Sequence, residues 1–262
     1  MDQHFSKRIV AEQSGLYFRD GKFETKRFVS IKEGKYNIFI NGKKFTSVVF
    51  LPDYHKEFTY GFLFTSGIIK SKNDIVSYRM CEYDNIYIYL KDISFDIENM
   101  KNWTITPGCG GGKVLEKTYS EIDIVENDLK ISPSDIFDIF LRVENDSTLH
   151  SVTRCVHKAF FKSSNGLAFK FDDVGRHNTI DKVIGAVLLS EEANFNGVMF
   201  TTGRLTSEMI LKCAKAKIPV VISRTAPSEN GIKIAEKSGI TLVGLVSKNS
   251  FLVFSGVQRI SV

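Results

Sequence analysis

The residue of this sequence best equipped for covalent chemistry is Cys109, in the run Thr104-Ile105-Thr106-Pro107-Gly108-Cys109-Gly110-Gly111-Gly112-Lys113. A thiol that attacks or carries a group must be exposed, movable and at least partly ionised. Glycine on both sides lets the backbone swing and lets amide N–H groups come close to the sulfur. Successive amides can form an anion-binding concavity that lowers a thiol pKa, and Lys113 is near enough in sequence to assist. Four glycines and a proline within six residues exclude a helix or a central strand, so the segment is predicted as a loop. On the residues alone two readings stand: a reactive thiol on a loop, and a glycine-rich linker that contains a cysteine.

The remaining cysteines are Cys81, Cys155 and Cys213, and no Cys-x-x-Cys pair is present. Cys81 and Cys213 read as small buried fillers. Cys155-Val156-His157 with Cys109 would make a three-ligand zinc site, but Cys-x-His matches none of the paired-ligand spacings of zinc proteins. No metal is therefore expected.

Two polar loops have the chemistry of anion binding. Asp172-Asp173-Val174-Gly175-Arg176-His177-Asn178 stands between a predicted strand and a predicted helix, with Asn178 placed to cap a helix beginning at Thr179. Arg176 and His177 then flank a helix N-terminus, where unpaired N–H groups attract phosphate. Asp173 is placed to orient one of them or to accept from a base or ribose. Thr201-Thr202-Gly203-Arg204 repeats the arrangement, ahead of a helix led by Thr206, Ser207 and Glu208. Neither loop carries a Walker or dinucleotide fingerprint. The residues point to a phosphate-bearing ligand beside a cysteine, and to nothing narrower.

The elements that must position these loops follow from periodicity. In the first hundred residues, strands are predicted at Phe28–Ile31, Tyr36–Ile40, Phe45–Leu51 and Ile86–Leu90, with Asn41-Gly42 as a hairpin turn and a helix over Tyr54–Ile69. A helix opened by Ser132-Pro133 follows the cysteine loop. Beyond it, strands at Leu167–Phe171, Gly197–Thr202, Pro219–Ser223, Thr241–Val246 and Phe251–Phe254 alternate with helices over Thr179–Leu189, Thr206–Lys215 and Ser228–Lys237. Such alternation predicts a mixed, mostly parallel sheet with helices on both faces, and ligands beyond the carboxyl ends of its strands. The expected organisation is a strand-rich α+β domain over 1–103, the cysteine loop and linker over 104–130, and an α/β domain over 131–262. Arg224, in Ser223-Arg224-Thr225-Ala226-Pro227-Ser228, lies on a third loop expected at the same edge.

Composition narrows the class. The 262 residues carry 35 Lys+Arg against 30 Asp+Glu, a net charge of +5 that allows an anionic ligand without specifying one. The excess is spread singly along the chain, unlike the stripe of a nucleic-acid binder. No run reaches the roughly 18 to 20 apolar residues of a membrane span. The opening Met-Asp-Gln-His-Phe-Ser-Lys-Arg lacks the apolar stretch of a signal peptide, which predicts a cytoplasmic protein with free thiols.

The segment Asp173-Val174-Gly175-Arg176-His177-Asn178-x-x-Asp181-Lys182-Val183-Ile184-Gly185 closely resembles the signature of the FdhD family, the formate dehydrogenase accessory sulfurtransferases. Glu57-Phe58-Thr59-Tyr60-Gly61-Phe62-Leu63-Phe64, Ser207-Glu208-Met209, Ile218-Pro219-Val220 and Thr241-Leu242-Val243-Gly244 follow in family order. The resemblance implies a cytidine-deaminase-like three-layer core, although the deaminase zinc signature is absent. It implies a homodimer that takes persulfide sulfur from a cysteine desulfurase on Cys109. The sulfur then goes to bis-molybdopterin guanine dinucleotide, the molybdenum cofactor of formate dehydrogenase, for which GDP would be a mimic. By the same resemblance the cofactor segment is Leu245, Val246, Ser247, Lys248, Asn249 and Ser250.

The chain departs from the family pattern at three places. Gly112 replaces the second loop cysteine, Thr153-Arg154-Cys155-Val156-His157 replaces Thr-Gly-Gly-x-His, and Ser247 replaces a frequent arginine. Two alternatives remain beside the sulfur carrier: a non-catalytic chaperone of the guanylated cofactor, and a zinc-dependent nucleotide deaminase.

Overall fold

Two turns with successive positive φ angles set the first layer. The computed structural model describes residues 6–81, 84–91, 122–145 and 148–261; Cys109 and its loop lie outside the described residues. Strands β1 (Val10–Arg19) and β2 (Lys22–Ile31) pair through Asp20-Gly21, and β3 (Gly34–Ile40) and β4 (Lys43–Phe50) through Asn41-Gly42. Asn41 (φ 48°) and Gly42 (φ 80°) adopt the left-handed pair that a two-residue hairpin requires. Strands β5 (Ile75–Cys81) and β6 (Asn85–Leu90) complete a four-stranded sheet in the order β4-β3-β6-β5, in which β3 and β6 run parallel. Cys81, expected to be a buried filler, is only half-buried at the end of β5.

Tyr36, Ile38, Ile40, Phe50, Ile86 and Ile88 project from one face of this sheet and join the core that contains helix α1 (His55–Thr65). Seven consecutive residues of α1, Phe58–Phe64, are buried, so the helix is enclosed on all sides. The helix predicted to reach Ile69 stops at Thr65, and Gly67 (φ 73°) leads the chain out of it.

The second layer forms around a six-stranded sheet in the order β12-β11-β10-β9-β7-β8. Helix α2 (Pro133–Asn145) is opened by a reciprocal cap: Asp135 N–H donates to Ser132 Oγ at 3.1 Å, and Ser132 N–H to the Asp135 carboxylate at 3.1 Å. The short helix α3 (Thr148–Thr153) leads to β7 (His157–Ser163) and β8 (Ala168–Asp173). Then come α4 (Arg176–Leu189), β9 (Gly197–Thr201), α5 (Ser207–Lys215), β10 (Val220–Ser223), α6 (Glu229–Ser238), β11 (Thr241–Gly244) and β12 (Leu252–Ser255). The sheet is mixed, as expected, but its parallel ladders are confined to β9, β10 and β11. The β7–β8, β7–β9 and β11–β12 ladders are antiparallel, so "mostly parallel" holds only for the middle of the sheet. The departure has a local cause in a hairpin that turns at Asn165-Gly166 (Gly166 φ 90°).

The sheet is covered on both faces, and alternate residues of each central strand divide between them. Val198, Phe200, Val220, Ile222 and Val243 meet Ile136, Ile139, Phe140 and Val143 of α2. Met199, Val221 and Leu242 face the core that contains α4, α5 and α6, and this core is continuous with α1 and the four-stranded sheet. Burial of both faces explains why these strands read as nearly unbroken apolar runs. No helix among the described residues is long and apolar enough to cross a membrane.

The two layers are drawn together where α1 crosses α4. A Cβ on Gly185 would come within 1.8 Å of the Glu57 carbonyl oxygen, and one on Gly61 within 1.8 Å of the Asp181 carbonyl oxygen. The backbones touch, and there is no side chain to rearrange. Gly185→Ala should therefore lower stability by about 3 kcal/mol, at the upper end of ordinary overpacking. The denaturant midpoint of the variant against the parent chain checks this.

Candidate functional site

A buried carboxylate fixes the first of the predicted loops. Asp173 ends β8 and is completely inaccessible to solvent. One of its carboxylate oxygens accepts from the Gly175 N–H at 2.9 Å and from Asn178 Nδ2 at 2.8 Å. The other accepts from the Leu51 N–H at 3.0 Å and pairs with Lys182 Nζ at 2.8 Å. A carboxylate has about four lone-pair sites, and here all are taken. Asp173, expected among the ligand contacts, is thus an internal anchor with no acceptor left for a base or ribose. Asn178, expected as a helix cap, instead clamps Asp173 and donates to the Val49 carbonyl at 3.0 Å.

The anchor moves the start of α4. The helix begins at Arg176, with Gly175 as its N-cap, three residues before the predicted start at Thr179. Arg176 and His177 are consequently its first two residues, at the end where unpaired N–H groups carry partial positive charge. His177 Nε2 lies 3.0 Å from Glu208 Oε2 in the first turn of α5, with both side chains mostly buried. The His177 hydrogen bond is the largest of the effects that hold the Glu208 carboxyl below its ordinary pKa.

The other predicted segments meet at the same edge. A Cβ on Gly203 would sit 2.7 Å from Arg176 Cβ, so the second loop lies directly against the first. The Gly203 carbonyl accepts from Ser223 Oγ and from Thr225 Oγ1, both at 2.9 Å, which binds in the third loop. Leu245 N–H donates to Thr225 O and Val246 N–H to Ser223 O, each at 3.2 Å, so residues 245–250 adjoin as a fourth strand end. Within that segment, Val246 is buried in the core and turns its side chain away from the edge. Leu245, Lys248, Asn249 and Ser250 are exposed, on a turn closed by Ser247 N–H to Ser250 O at 2.8 Å. Arg204 is exposed beside Gly203.

A cavity of about 300 Å³ opens at this edge, walled by His150, Arg154, Cys155, His157, Lys158 and Arg224. Lys158 Nζ is buried and donates to Val143 O at 3.2 Å; Arg224 pairs with Glu144 at 2.9 Å. Burial, followed by Arg176, His150, Arg204 and Arg224, holds the His157 pKa down, so these groups all act on one point. Cys155 is exposed, whereas Cys213 is buried and its thiol is pushed up to about 12 by desolvation. His150, Arg154 and Lys158 escaped sequence reasoning: neither the six-residue α3 nor the left-handed backbone of Arg154 (φ 52°) has a sequence signal, and β7, which carries Lys158, is buried without alternation. No group of three or more His, Cys, Asp or Glu side chains able to hold a metal ion occurs among the described residues.

Comparison with known proteins agrees along the whole chain. The profile of the FdhD/NarQ family matches residues 31–261. A sulfur carrier protein FdhD from Bacillus pumilus (strain SAFR-032) is 30% identical over 266 residues, covering 100% of both chains. Its namesake from Wolinella succinogenes is 31% identical over 267 residues, covering 98% of this chain and 90% of that one. A Desulfotalea psychrophila chain, crystallised under the description of a formate dehydrogenase accessory protein, superposes with a TM-score of 0.81 at 30% identity. The superposition covers 97% of this chain and 100% of that one.

Two predictions follow from the anchor and from the His177–Glu208 contact. Asp173→Asn leaves Lys182 buried and uncompensated and should cost about 3–5 kcal/mol in urea denaturation, while Asp173→Leu with Lys182→Met should recover most of the loss. The Glu208 contribution, from a carboxyl whose folded pKa is lowered, is complete above the unfolded value of about 4.3 and disappears as pH falls through the folded value. The thermal midpoints of the parent chain and Glu208→Gln should therefore differ at neutral pH and converge in acid.

Proposed function

The chain belongs to the FdhD/NarQ family, and from that premise we propose that it is a sulfur carrier serving formate dehydrogenase. The observation that carries this reading is the joining of four strand-end segments on one cationic edge, in a chain alike over its full length to proteins named as sulfur carriers. In this reading Cys109 thiolate attacks the outer sulfur of a cysteine desulfurase persulfide. The desulfurase sulfur leaves as thiolate and Cys109 becomes the persulfide. The bis-guanylated molybdenum cofactor is the acceptor substrate. Lys248, Asn249 and Ser250 of the terminal turn, with Arg176, His177, Gly203 and Arg204, are its contacts. Phosphate suits the start of α4, because the first-turn N–H groups and the Arg176 guanidinium supply donors and positive charge together.

The working protein in this reading is a cytoplasmic homodimer. Gly112 in place of a second loop cysteine has a chemical consequence: transfer proceeds from Cys109 without a resolving thiol in the loop. The same substitution is the one observation that favours a chaperone that holds the cofactor and does no sulfur chemistry.

Mass spectrometry after incubation with a cysteine desulfurase and cysteine separates the two readings. One added sulfur atom on the Cys109 peptide is expected, and an unmodified peptide would sink the carrier in favour of the chaperone. Cys109→Ala should fold, retain GDP binding and fail to activate formate dehydrogenase.

A further inference from the structure

We propose that the cavity walled by His150, Arg154, His157 and Arg224 is a diphosphate subsite, and that Arg154 gives this chain a grip on the ligand that a glycine there would not supply. The proposal rests on the reading above, that the chain holds a guanylated ligand, and assigns the diphosphate of that ligand to residues outside the terminal segment 245–250.

Three observations carry it. The first is space, since a cavity of about 300 Å³ is open to solvent on one side and large enough for a diphosphate. The second is charge. Arg154 and Arg224 stand at its rim and Lys158 in its wall, and the carboxylate that lines it, Glu144, is engaged by Arg224 at 2.9 Å. A concavity with this balance concentrates positive potential between low-dielectric walls and is the complement of a polyanion. The third is convergence. Arg224 after β10 lines the cavity with His157, and Arg176 from α4 and Arg204 after β9 join Arg224 in acting on that histidine. Arg154, the residue after α3, lines the same cavity and adds a cation from a fourth segment. Arginine is suited to this task because its planar fork donates two parallel hydrogen bonds to a phosphate.

Cys155 makes the proposal measurable, because it is an exposed thiol in the wall of the same cavity. Peptide-resolved alkylation of the full chain with iodoacetamide, with GDP or inorganic pyrophosphate as probes, reads occupancy directly, and buried Cys213 serves as the unreactive internal control. Both probes are expected to slow Cys155 modification about fivefold or more at saturation. Arg154→Gln and Arg224→Gln should each weaken pyrophosphate binding about tenfold, the loss of one charge-assisted contact. Glu144→Gln should change affinity in the opposite direction by releasing Arg224, an outcome that misfolding cannot imitate.

The results that count against the proposal are distinct from those that count against the sulfur-carrier reading. GDP that binds while Cys155 reactivity and the Arg154→Gln affinity stay unchanged overturns the subsite and leaves the carrier reading standing. Pyrophosphate that protects Cys155 while GDP fails to bind upholds the anion site and removes the guanylated ligand from it. Protection by neither probe overturns the proposal outright.

Discussion

Much of the molecule is arranged around one carboxylate. Asp173 takes four donors from three places: the turn that follows it, the first turns of α4, and the chain leaving β4 at Leu51. It thereby sets where β8 stops, where α4 starts, and how the N-terminal sheet sits on the α/β layer. A buried ion pair contributes little net stability, because desolvation offsets most of its attraction. Its effect here is positional. With Lys182 also reaching the Leu51 carbonyl at 3.4 Å, the pair cannot be satisfied if α4 slides or begins elsewhere. The exposed consequence is that Arg176 and His177 occupy the first turn of a helix whose start is over-determined from inside.

The same helix is held at its middle by a second buried charge. Asp181 accepts from Lys212 Nζ of α5 and from Thr65 Oγ1 of α1, at 2.6 and 2.7 Å. Nearby, Gly61 and Gly185 bring the backbones of α1 and α4 into contact. Three helices therefore share polar and steric constraints around α4, the element that carries the site. An edge built in this way is held in place before any ligand arrives, so a ligand bound there would lose little affinity to ordering.

Much of this was legible in the sequence, and the failures have physical reasons. The Asn41-Gly42 turn, the Ser132-Pro133 helix start and the apolar strands β9 and β10 follow from local chemistry, and the structure places them within a residue or two. Strand β7 was missed although Asn165-Gly166 marks its hairpin, because its apolar residues are buried on both faces and do not alternate. Asp173 read as a ligand contact because a polar residue at a strand end has the same appearance whether it points out or in. Nothing local distinguishes it from Asp172. Its inward direction is completed by Leu51, more than a hundred residues away, whose N–H donates to it.

Charge shows most clearly how sequence separation hides a site. The excess of basic residues is modest and scattered, with no run that suggests a binding face. Arg154, Arg204 and Arg224 belong to three different connections and Arg176 opens α4, each isolated in sequence. Antiparallel β7 brings its first residue beside the carboxyl ends of β8 and β9, and β10 runs parallel to β9. The end of α3 therefore meets the loops after β8, β9 and β10 at one edge. There three of the four arginines act on a single histidine, and the fourth stands at the rim of the cavity that this histidine lines. Strand order, not composition, creates the positive field, so a chain of the same charge with β7 on another edge would have no such site.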